Sequence, residues 1–298
     1  MGPRLHAIYL VFNDARFLAA SIRSVYPHVT GITVVTSYDR DRFDRPTPPD
    51  GTLDLLRSRE LDPDHKIDVL LATEGGEPGL RNRAMAFVAP PGPATDVARP
   101  HPGLATIAAP DWFWIVDADE IYDAESVAGV KAYLAEHEPR IAMLQASTYF
   151  KSWNWRILEQ GWYVTMVRPG VWFGDLRAWR RDLRTKLAQK AIALKLVDEV
   201  RGYRLAGAHI VPREVATFHH GSYVGDRDRI EKKLATSGHR DQFPSEWLER
   251  VWEGFTPEMR DFNATDPERY GKAEYLPTAA LPAEIRDADW PDGWIDRP

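Results

Sequence analysis

The segment WFWIVDADE, residues 112–120, constrains the fold of this chain more than any other stretch. Five consecutive apolar residues are typical of a strand that is buried on both faces, as in a parallel sheet. Such strands usually end at turn residues such as Gly, Pro or Asn. This one ends in three acids within four positions, Asp117, Asp119 and Glu120. The chain must therefore neutralise concentrated negative charge at the end of a central strand.

Further apolar runs predict the other strands of the same sheet. They cover residues 6–12, 31–39, 66–73 and 141–150. Two helices are predicted, because apolar residues at helical spacing follow a residue that can cap a helix. The capping residue is Asn13 or Asp14 for the first helix and Asp123 for the second. The alternation of strands and helices predicts an α/β fold with a doubly wound, mostly parallel central sheet flanked by helices. Ligands should gather beyond the carboxyl ends of its strands.

The length of 298 residues predicts one large α/β domain, residues 1–225, with a C-terminal helical extension and tail, residues 226–298, that pack on it. Within the extension, helices are predicted over residues 226–239, capped by Asp226 or Asp228, and over residues 245–255. The last thirty residues are rich in Pro, Asp and Trp without periodicity and are expected to form an irregular surface tail.

Composition excludes several classes of protein. The absence of cysteine excludes disulfides, thiolate zinc sites and cysteine nucleophiles, and it fits a cytoplasmic location. A formal net charge of −6 argues against a nucleic-acid binder, and no apolar run is long enough for a transmembrane segment.

Residues 177–195 are locally basic, with seven Lys or Arg against one Asp. They form either a solvated helix face or a contact to a phosphorylated ligand.

The acids after the fourth strand suggest a metal site. Residues i and i+2 of an extended chain point to the same side, so Asp117 and Asp119 can converge on one point. Two carboxylates held close together repel each other unless a cation lies between them, and oxygen ligands favour Mg²⁺ or Mn²⁺. Such an ion suits a bound diphosphate. Helix capping and solvent exposure are the alternative explanation of the acids.

The order of four motifs resembles a known family. YLVFNDARFLAASIRSV, ITVVTSYD, GLRNRAM and WFWIVDADE, within residues 5–123, resemble the nucleotide-sugar-binding half of GT-A-fold glycosyltransferases, particularly the family 2-like bacterial enzymes. FHHGSYVGDRDRIEKKLATSGH, residues 218–239, is similar to a C-terminal segment of some members. The resemblance implies a GT-A-type fold with a donor half at residues 1–123 and an acceptor half at residues 124–225. It also implies transfer of a sugar from a nucleotide-diphosphate donor to an acceptor, with Mn²⁺ or Mg²⁺ as cofactor.

The resemblance also implies a set of donor-binding residues. They are Asn13, Asp14, Asp39, Arg81, Asn82, Asp117 and Ala118. Glu120 is similar to an acid that often stands beside the Asp-x-Asp pair. For Asp39 a simple turn role is the alternative, and for Asn13 and Asp14 helix capping is the alternative.

The metal ligands implied are Asp117, Asp119 and one C-terminal histidine. Adjacent residues of an extended segment face opposite ways, so at most one of His219 and His220 should reach the ion. His220 is favoured because the segment HGSY begins with it. A hydrogen-bonded histidine pair near the sheet edge is the alternative.

The acceptor side is less defined. An inverting enzyme needs a carboxylate base, for which Asp175 and Glu159 are the candidates, whereas a retaining enzyme has no such obvious base. Trp153, Trp155 and Trp162 can stack on an acceptor sugar or belong to the core. The acceptor is a saccharide, a natural product or a lipid-linked molecule.

Two other functions compete with this interpretation. A sugar-phosphate nucleotidyltransferase would normally carry a glycine-rich loop after the first strand, but the turn here is FNDARF. A non-catalytic nucleotide- or carbohydrate-binding protein would use the acids only to end the strand.

Overall fold

The structure is a computed structural model that describes most of the chain. It describes residues 2–12, 14–41, 44–89, 109–174, 177–180, 183–236, 243–259, 262 and 270–296. Two predicted site residues, Asn13 and Asp175, lie outside these ranges. None of the helices in the described ranges combines the length and the apolar composition needed to cross a bilayer.

Strands and helices alternate through the first half of the described chain. The strands are Leu5–Leu10 (β1), Gly31–Thr36 (β2), Ile67–Leu71 (β3), Trp112–Asp117 (β4), Glu120–Ile121 (β5), Ile141–Val167 (β6), Val171–Gly174 (β7), Arg177–Arg180 (β8), Ala208–Ile210 (β9), Thr217–Val224 (β10) and Tyr270–Tyr275 (β11). The α-helices are Ala15–Val25 (α1), Thr52–Leu56 (α2), Gly76–Val88 (α3), Ala124–His137 (α4), Leu183–Ala193 (α5), Glu199–Leu205 (α6), Arg227–Thr236 (α7) and Ala283–Arg286 (α8). A π-helix spans Leu248–Glu253, within the helix predicted over residues 245–255.

One curled central sheet organises the molecule. Its strand order is β3-β2-β1-β4-β6-β10-β5, and β9 and β11 also pair with β6. Five pairings are parallel, namely β1 with β2, β1 with β4, β2 with β3, β6 with β9 and β6 with β10. The pairings β4–β6, β5–β10 and β6–β11 are antiparallel. The prediction of an α/β fold with a mostly parallel sheet is therefore confirmed.

Helices cover both faces of this sheet because alternate residues of a strand point to opposite sides. On one face, β1 packs against the apolar stripes of α1 and α4, which are Leu18, Ile22, Val25, Val127, Val130 and Leu134. On the other face, Ile8, Phe113 and Ile115 pack against α3. Trp114 is fully buried in the first cluster, and burial of such a side chain stabilises the fold by about 3 kcal/mol.

Strand β6 doubles back on itself. The N–H of Arg168 donates to the carbonyl of Arg140 over 2.9 Å, although the two residues flank opposite ends of the strand. Lys151, near the bend, has φ +67°. The predicted strand over residues 141–150 is the first limb. The Trp-rich segment that follows forms the return limb, which pairs with β4 and β11.

The end of the chain is part of the sheet and of the core, so the prediction of an irregular surface tail was wrong. Strand β11 pairs with β6, and the residues after it supply Trp290 and Trp294 to a buried cluster with Phe17 and Trp153. Apolar burial explains this, because tryptophans spaced without periodicity can still fill one cavity. The proposed division at residue 225 stays a prediction.

Two of the predicted capping residues cap their helices in the structure, and a third does not. Asp123 caps α4, since its carboxylate accepts from the N–H of Ser126 over 2.8 Å. Asp226 caps α7 in the same way, accepting from the N–H of Arg229 over 2.9 Å. Asp14 stands at the cap position of α1 but makes no capping hydrogen bond. Its carboxylate instead faces Arg229 at 3.7 Å, which takes it away from the helix end.

Two helical glycines predict opposite effects of alanine. A Cβ at Gly129 of α4 would lie 2.0 Å from the carbonyl oxygen of Val215, so Gly129→Ala should lower the free energy of unfolding by about 2 kcal/mol. A Cβ at Gly79 of α3 meets no atom within 4 Å, so Gly79→Ala should raise it by up to about 1 kcal/mol. Urea denaturation of both variants measures the difference. Equal effects would contradict the close approach of α4 to residue 215.

Candidate functional site

The acids of the opening motif lie where the central strands end. Strand β4 ends at Asp117, and after the turn at Ala118 and Asp119 the chain enters β5, which pairs with β10. The carbonyl of Asp119 accepts from the N–H of Gly221 over 2.8 Å, which fixes the turn against β10. A Cβ at Gly221 would lie 2.5 Å from the ring of Phe17, so this strand position requires glycine. The two aspartates therefore occupy the carboxyl edge of the sheet.

Asp117 is paired with an arginine of α3. Its carboxylate lies 3.3 Å from the guanidinium of Arg81, which also contacts Glu77 at 2.7 Å. Arg81 stacks over the ring of Phe173 at 5.4 Å. The side chain of Arg81 is nearly buried, whereas that of Asp117 is 47% exposed. Asp117 thus keeps a solvent-facing carboxylate at the sheet edge.

Asp119 is buried and paired with two cations of α7. Its side chain is 5% exposed, and its carboxylate lies 3.4 Å from Arg229 and in direct contact with Lys233. Burial alone would raise the pKa of Asp119, but the positive charge of Lys233 and the interactions with His220 and Arg229 together outweigh this effect. The pKa of Asp119 is therefore held well below its ordinary value.

Sequence reasoning missed the role of α7. Arg229 and Lys233 stand at positions i and i+4, so they lie on one face of the helix and reach the same carboxylate. Arg229 is fixed further by the carbonyls of Ser222 and Val224 and by the ring of Phe17 at 4.1 Å. The spacing of the two basic residues was visible in the predicted helix, but their partner lies more than a hundred residues away.

The two histidines of β10 point in opposite directions. His220 faces the site, with its Nε2 3.6 Å from the carboxylate of Asp119. His219 faces away, lines a cavity of about 480 Å³, and hydrogen-bonds with Tyr149 at 2.9 Å and Asp123 at 3.1 Å. Burial would raise the pKa of Asp123, but hydrogen bonding with His219 leads the effects that lower it to about 2. Of the two, His220 alone accompanies the acids.

Glu120 is a buried carboxyl beside the two aspartates. It is 4% exposed and accepts a hydrogen bond from the hydroxyl of Tyr122 over 2.9 Å. Burial raises the pKa of Glu120 well above its ordinary value of 4.5, and the nearby charge of Asp117 raises it further. Glu120 therefore favours its protonated form more strongly than an exposed glutamate does.

The other predicted donor-binding residues are spread along the same edge. Asp39 is exposed just beyond β2, and Ala118 is buried in the turn between the two aspartates. Asn82 connects α3 to β7, donating to the carbonyl of Phe173 and accepting from its N–H, both over 2.8 Å. Asn82 therefore holds the strand against which Arg81 stacks.

The predicted acceptor-side residues are mostly enclosed. Glu159 is fully buried, and its carboxylate accepts from Thr148 over 2.6 Å and from Tyr163 over 2.7 Å. Trp153 is also fully buried, so its ring has no exposed face in this structure. Trp155 and Trp162 are partly buried.

The charges around the two aspartates decide what this edge can bind. Among the described residues the cations are Arg81, Arg229 and Lys233, and the carboxylates paired with them are Asp14, Glu77, Asp117 and Asp119. The arginines and the lysine therefore give no net positive charge, even if one carboxylate is protonated. In the described ranges, no group of three or more His, Asp or Glu side chains is arranged to hold a metal.

These residues fit a divalent ion that arrives together with a phosphate ligand. Mg²⁺ is commonly held by one or two protein carboxylates, with substrate phosphates and water as the remaining ligands. Asp117 offers an exposed carboxylate, and Asp119 offers the oxygen that faces His220. The prediction of Mn²⁺ or Mg²⁺ stays a prediction.

Fold and site together define an α/β protein with a charged cluster at the carboxyl edge of its sheet. No protein-family model and no curated protein matches the chain. Among solved structures it is similar to S. aureus TarS, with 14% identity and a TM-score of 0.42 over 83% of this chain and 43% of that chain. TarS 1–349 in complex with UDP-GlcNAc gives 12% identity and a TM-score of 0.41, over 83% of this chain and 72% of that chain. This chain therefore spans less than half of the longer TarS structure.

The raised pKa of Glu120 predicts how stability depends on pH. An acid whose pKa is raised in the folded state contributes stability that is complete below 4.5 and is lost as pH rises toward its folded pKa. Glu120→Gln mimics the protonated form and should remove this loss, so the variant gains stability relative to the natural chain as pH rises. Urea denaturation across the pH range measures it. Glu125→Gln, at an exposed position of α4, is the control, and parallel curves for both variants would contradict the assignment.

Proposed function

We propose that this chain is a glycosyltransferase that takes a sugar from a nucleotide-diphosphate donor. The observation that carries the proposal is the charged cluster at the ends of β1 and β4, because open α/β sheets bind ligands at this edge. The motif order over residues 5–123 supports the same assignment, since it resembles the donor half of GT-A-fold enzymes and its acids belong to the cluster.

We infer that Mn²⁺ or Mg²⁺ accompanies the donor. The lysine and arginines of the cluster are already paired with carboxylates, so a diphosphate brings negative charge that the chain alone does not neutralise. Asp117 and Asp119 would hold the ion, with His220 beside them. When bound, such an ion supplies positive charge that stabilises a departing nucleoside diphosphate.

The basic residues of the cluster would orient the diphosphate. Hydrogen bonds between charged groups and phosphate oxygens are short and strong, and an arginine can make two at once. Arg229 is already fixed by two backbone carbonyls and an aromatic ring, so little side-chain freedom remains to be lost on binding. Lys233 has a flexible stem and is 30% exposed, which lets it move from Asp119 to a phosphate.

The acceptor is proposed to be a saccharide, a natural product or a lipid-linked molecule. Trp155 and Trp162 keep partly exposed rings that can lie against a sugar. Glu159 is enclosed by Thr148 and Tyr163, which favours a role in positioning these residues over a role as a base in direct contact with an acceptor.

Removal of the exposed carboxylate tests the proposal. Asp117→Asn should weaken binding of UDP in the presence of Mn²⁺ by about tenfold or more, because one ligand of the ion loses its charge. The same variant should release less UDP from UDP-sugar donors. Isothermal titration with Mn²⁺ and with a chelator measures binding, and an assay of released nucleoside diphosphate measures turnover. If UDP binds poorly, the other nucleoside diphosphates are tested in the same way.

Asp111→Asn is the matched control, because Asp111 precedes the same strand at its opposite end and pairs with Arg4 at 3.1 Å. Equal affinity of both variants and the natural chain would contradict the assignment of the site. Binding of nucleoside diphosphates without release from any sugar donor would identify a non-catalytic binder. Release of pyrophosphate from a nucleoside triphosphate and a sugar phosphate would identify a nucleotidyltransferase.

The lysine of α7 gives an independent test. Lys233→Met should weaken binding of UDP with Mn²⁺ by about tenfold or more, since a hydrogen bond to a charged group typically contributes about 1.5–3 kcal/mol. Lys232→Met changes the neighbouring exposed lysine of the same helix and should leave the affinity unchanged. Thermal unfolding of each variant is measured as well, because Lys233→Met also leaves Asp119 with one cation fewer. An unchanged affinity in a variant that is still folded at the assay temperature would show that Lys233 does not contact the diphosphate.

A further inference from the structure

The helical hairpin formed by α5 and α6, residues 183–205, exposes an unusual amount of apolar surface. Four of its leucines stand in solvent, with exposed fractions of 61%, 58%, 72% and 46% for Leu187, Leu194, Leu196 and Leu205. Only four other large apolar side chains of the described residues are comparably exposed, and they are dispersed over the chain at Tyr38, Leu71, Leu158 and Tyr275. Clustered apolar exposure usually marks a surface that contacts another molecule.

The hairpin does not use these leucines to hold itself together. Its helices pack through small residues, with Ala188 and Ala206 forming the buried contact. A Cβ at Gly202 would lie 2.2 Å from the side chain of Ile192, so the two helices approach closely at this point. Leu194 directly follows α5, and its N–H still donates to the carbonyl of Lys190 over 3.0 Å, so it continues the helical path. Leu187 and Leu194 are seven residues apart and therefore lie on the same side. The leucines form an outer face that is separate from the helix contact.

Leu196, in the turn after α5, is exposed to solvent and not packed against the helix. The N–H of Leu196 donates to the carbonyl of Ala191, and the N–H of Lys195 donates to that of Ile192, both within 3 Å. Lys195 has φ +55°, as expected for the residue that ends a helix in a Schellman motif. In that motif the residue after the left-handed position frequently makes an apolar contact with the helix. Leu196 occupies this position and is nevertheless the most exposed of the four leucines.

The same surface is positively charged in a chain that is negative overall. Residues 183–205 contain six Lys or Arg against two Asp or Glu, whereas the whole chain has a formal charge of −6. The exposed cations of the hairpin are Lys186, Lys190, Lys195, Arg201 and Arg204. Lys186 directly precedes Leu187, and Lys195 lies between Leu194 and Leu196, so positive charge borders the apolar side chains.

We propose that the α5–α6 hairpin binds the surface of a membrane that contains anionic lipids. Exposed leucines bordered by lysines and arginines allow a surface to lie in a lipid interface, where the apolar side chains enter the acyl boundary and the cations contact lipid phosphates. A second copy of this chain fits less well, because two basic hairpins would repel each other. Protein interfaces are also depleted in lysine at their centres.

The hairpin is connected to the charged cluster by β7. Trp172 packs against Ala188 and Ala206, and the next residue, Phe173, contacts Arg81. Binding at the hairpin would therefore act on a part of the molecule that is joined to Arg81 through β7. The membrane proposal does not depend on the enzymatic proposal, because vesicle binding requires no turnover.

Sedimentation with lipid vesicles tests this proposal on the full chain. The natural protein should bind vesicles of phosphatidylglycerol and phosphatidylcholine, and it should bind vesicles of pure phosphatidylcholine far less. The double variant Leu194→Ser and Leu196→Ser should lower the partition coefficient by about tenfold or more, because two apolar side chains no longer leave water. The double variant Lys186→Gln and Lys190→Gln should lower it by about fivefold for each lysine. High salt should weaken binding in the same direction.

Leu158→Ser is the matched control, because Leu158 is an exposed leucine of β6 outside the hairpin, and binding of this variant should equal that of the natural chain. Circular dichroism and thermal unfolding confirm that each variant is folded. Absence of vesicle binding, equal binding to both kinds of vesicle, or full binding by the folded leucine variant would each overturn the proposal. A concentration-dependent dimer that the leucine variant abolishes, without vesicle binding, would assign the face to a second copy instead.

Discussion

The buried ion pair between Asp119 and the cations of α7 is the interaction on which the arrangement of this molecule depends. A carboxylate that is 5% exposed cannot remain ionised without compensation, and Arg229 and Lys233 supply it from one helix face. Loss of one partner from such a pair typically costs about 3–5 kcal/mol. The contact therefore fixes α7 against the end of β4 and joins the C-terminal part of the chain to the strands that begin it.

The two aspartates of the motif differ in burial and in their ion-pair partners, although they are only two residues apart. Asp117 is held by Arg81 from α3 and keeps an exposed carboxylate. Asp119 is buried, and its charge is paired with the cations of α7. Glu120 completes the division, because burial raises the pKa of its carboxyl well above the ordinary value. The three acids thus present one exposed carboxylate, one buried carboxylate that is paired with cations, and one buried carboxyl with a raised pKa.

Sequence patterns predicted the parts of the structure that local periodicity controls. The central strands, α1, α4 and the cap at Asp123 follow from apolar spacing and capping residues within a few positions. The return of β6 and the burial of Trp290 depend on contacts between distant segments, which no local pattern encodes. The candidate site was likewise predictable only in part. Asp117 and Asp119 were identifiable because they stand where an apolar strand ends. Lys233 was not identifiable from the sequence, because its place in the site depends on contact with a carboxylate 114 residues away.

Charge is distributed differently at the two surfaces for which ligands are proposed. At the sheet edge the cations are paired with carboxylates in a partly buried setting, where the effective dielectric constant is low and electrostatic interactions are strong and local. That setting selects a small ligand whose charge and geometry are defined. On the α5–α6 hairpin the cations are exposed, and charges in high dielectric act weakly one by one. They become effective together only against an extended surface of opposite charge, and the interspersed leucines add binding energy only if that surface has an apolar interior. A lipid bilayer with anionic headgroups meets both conditions.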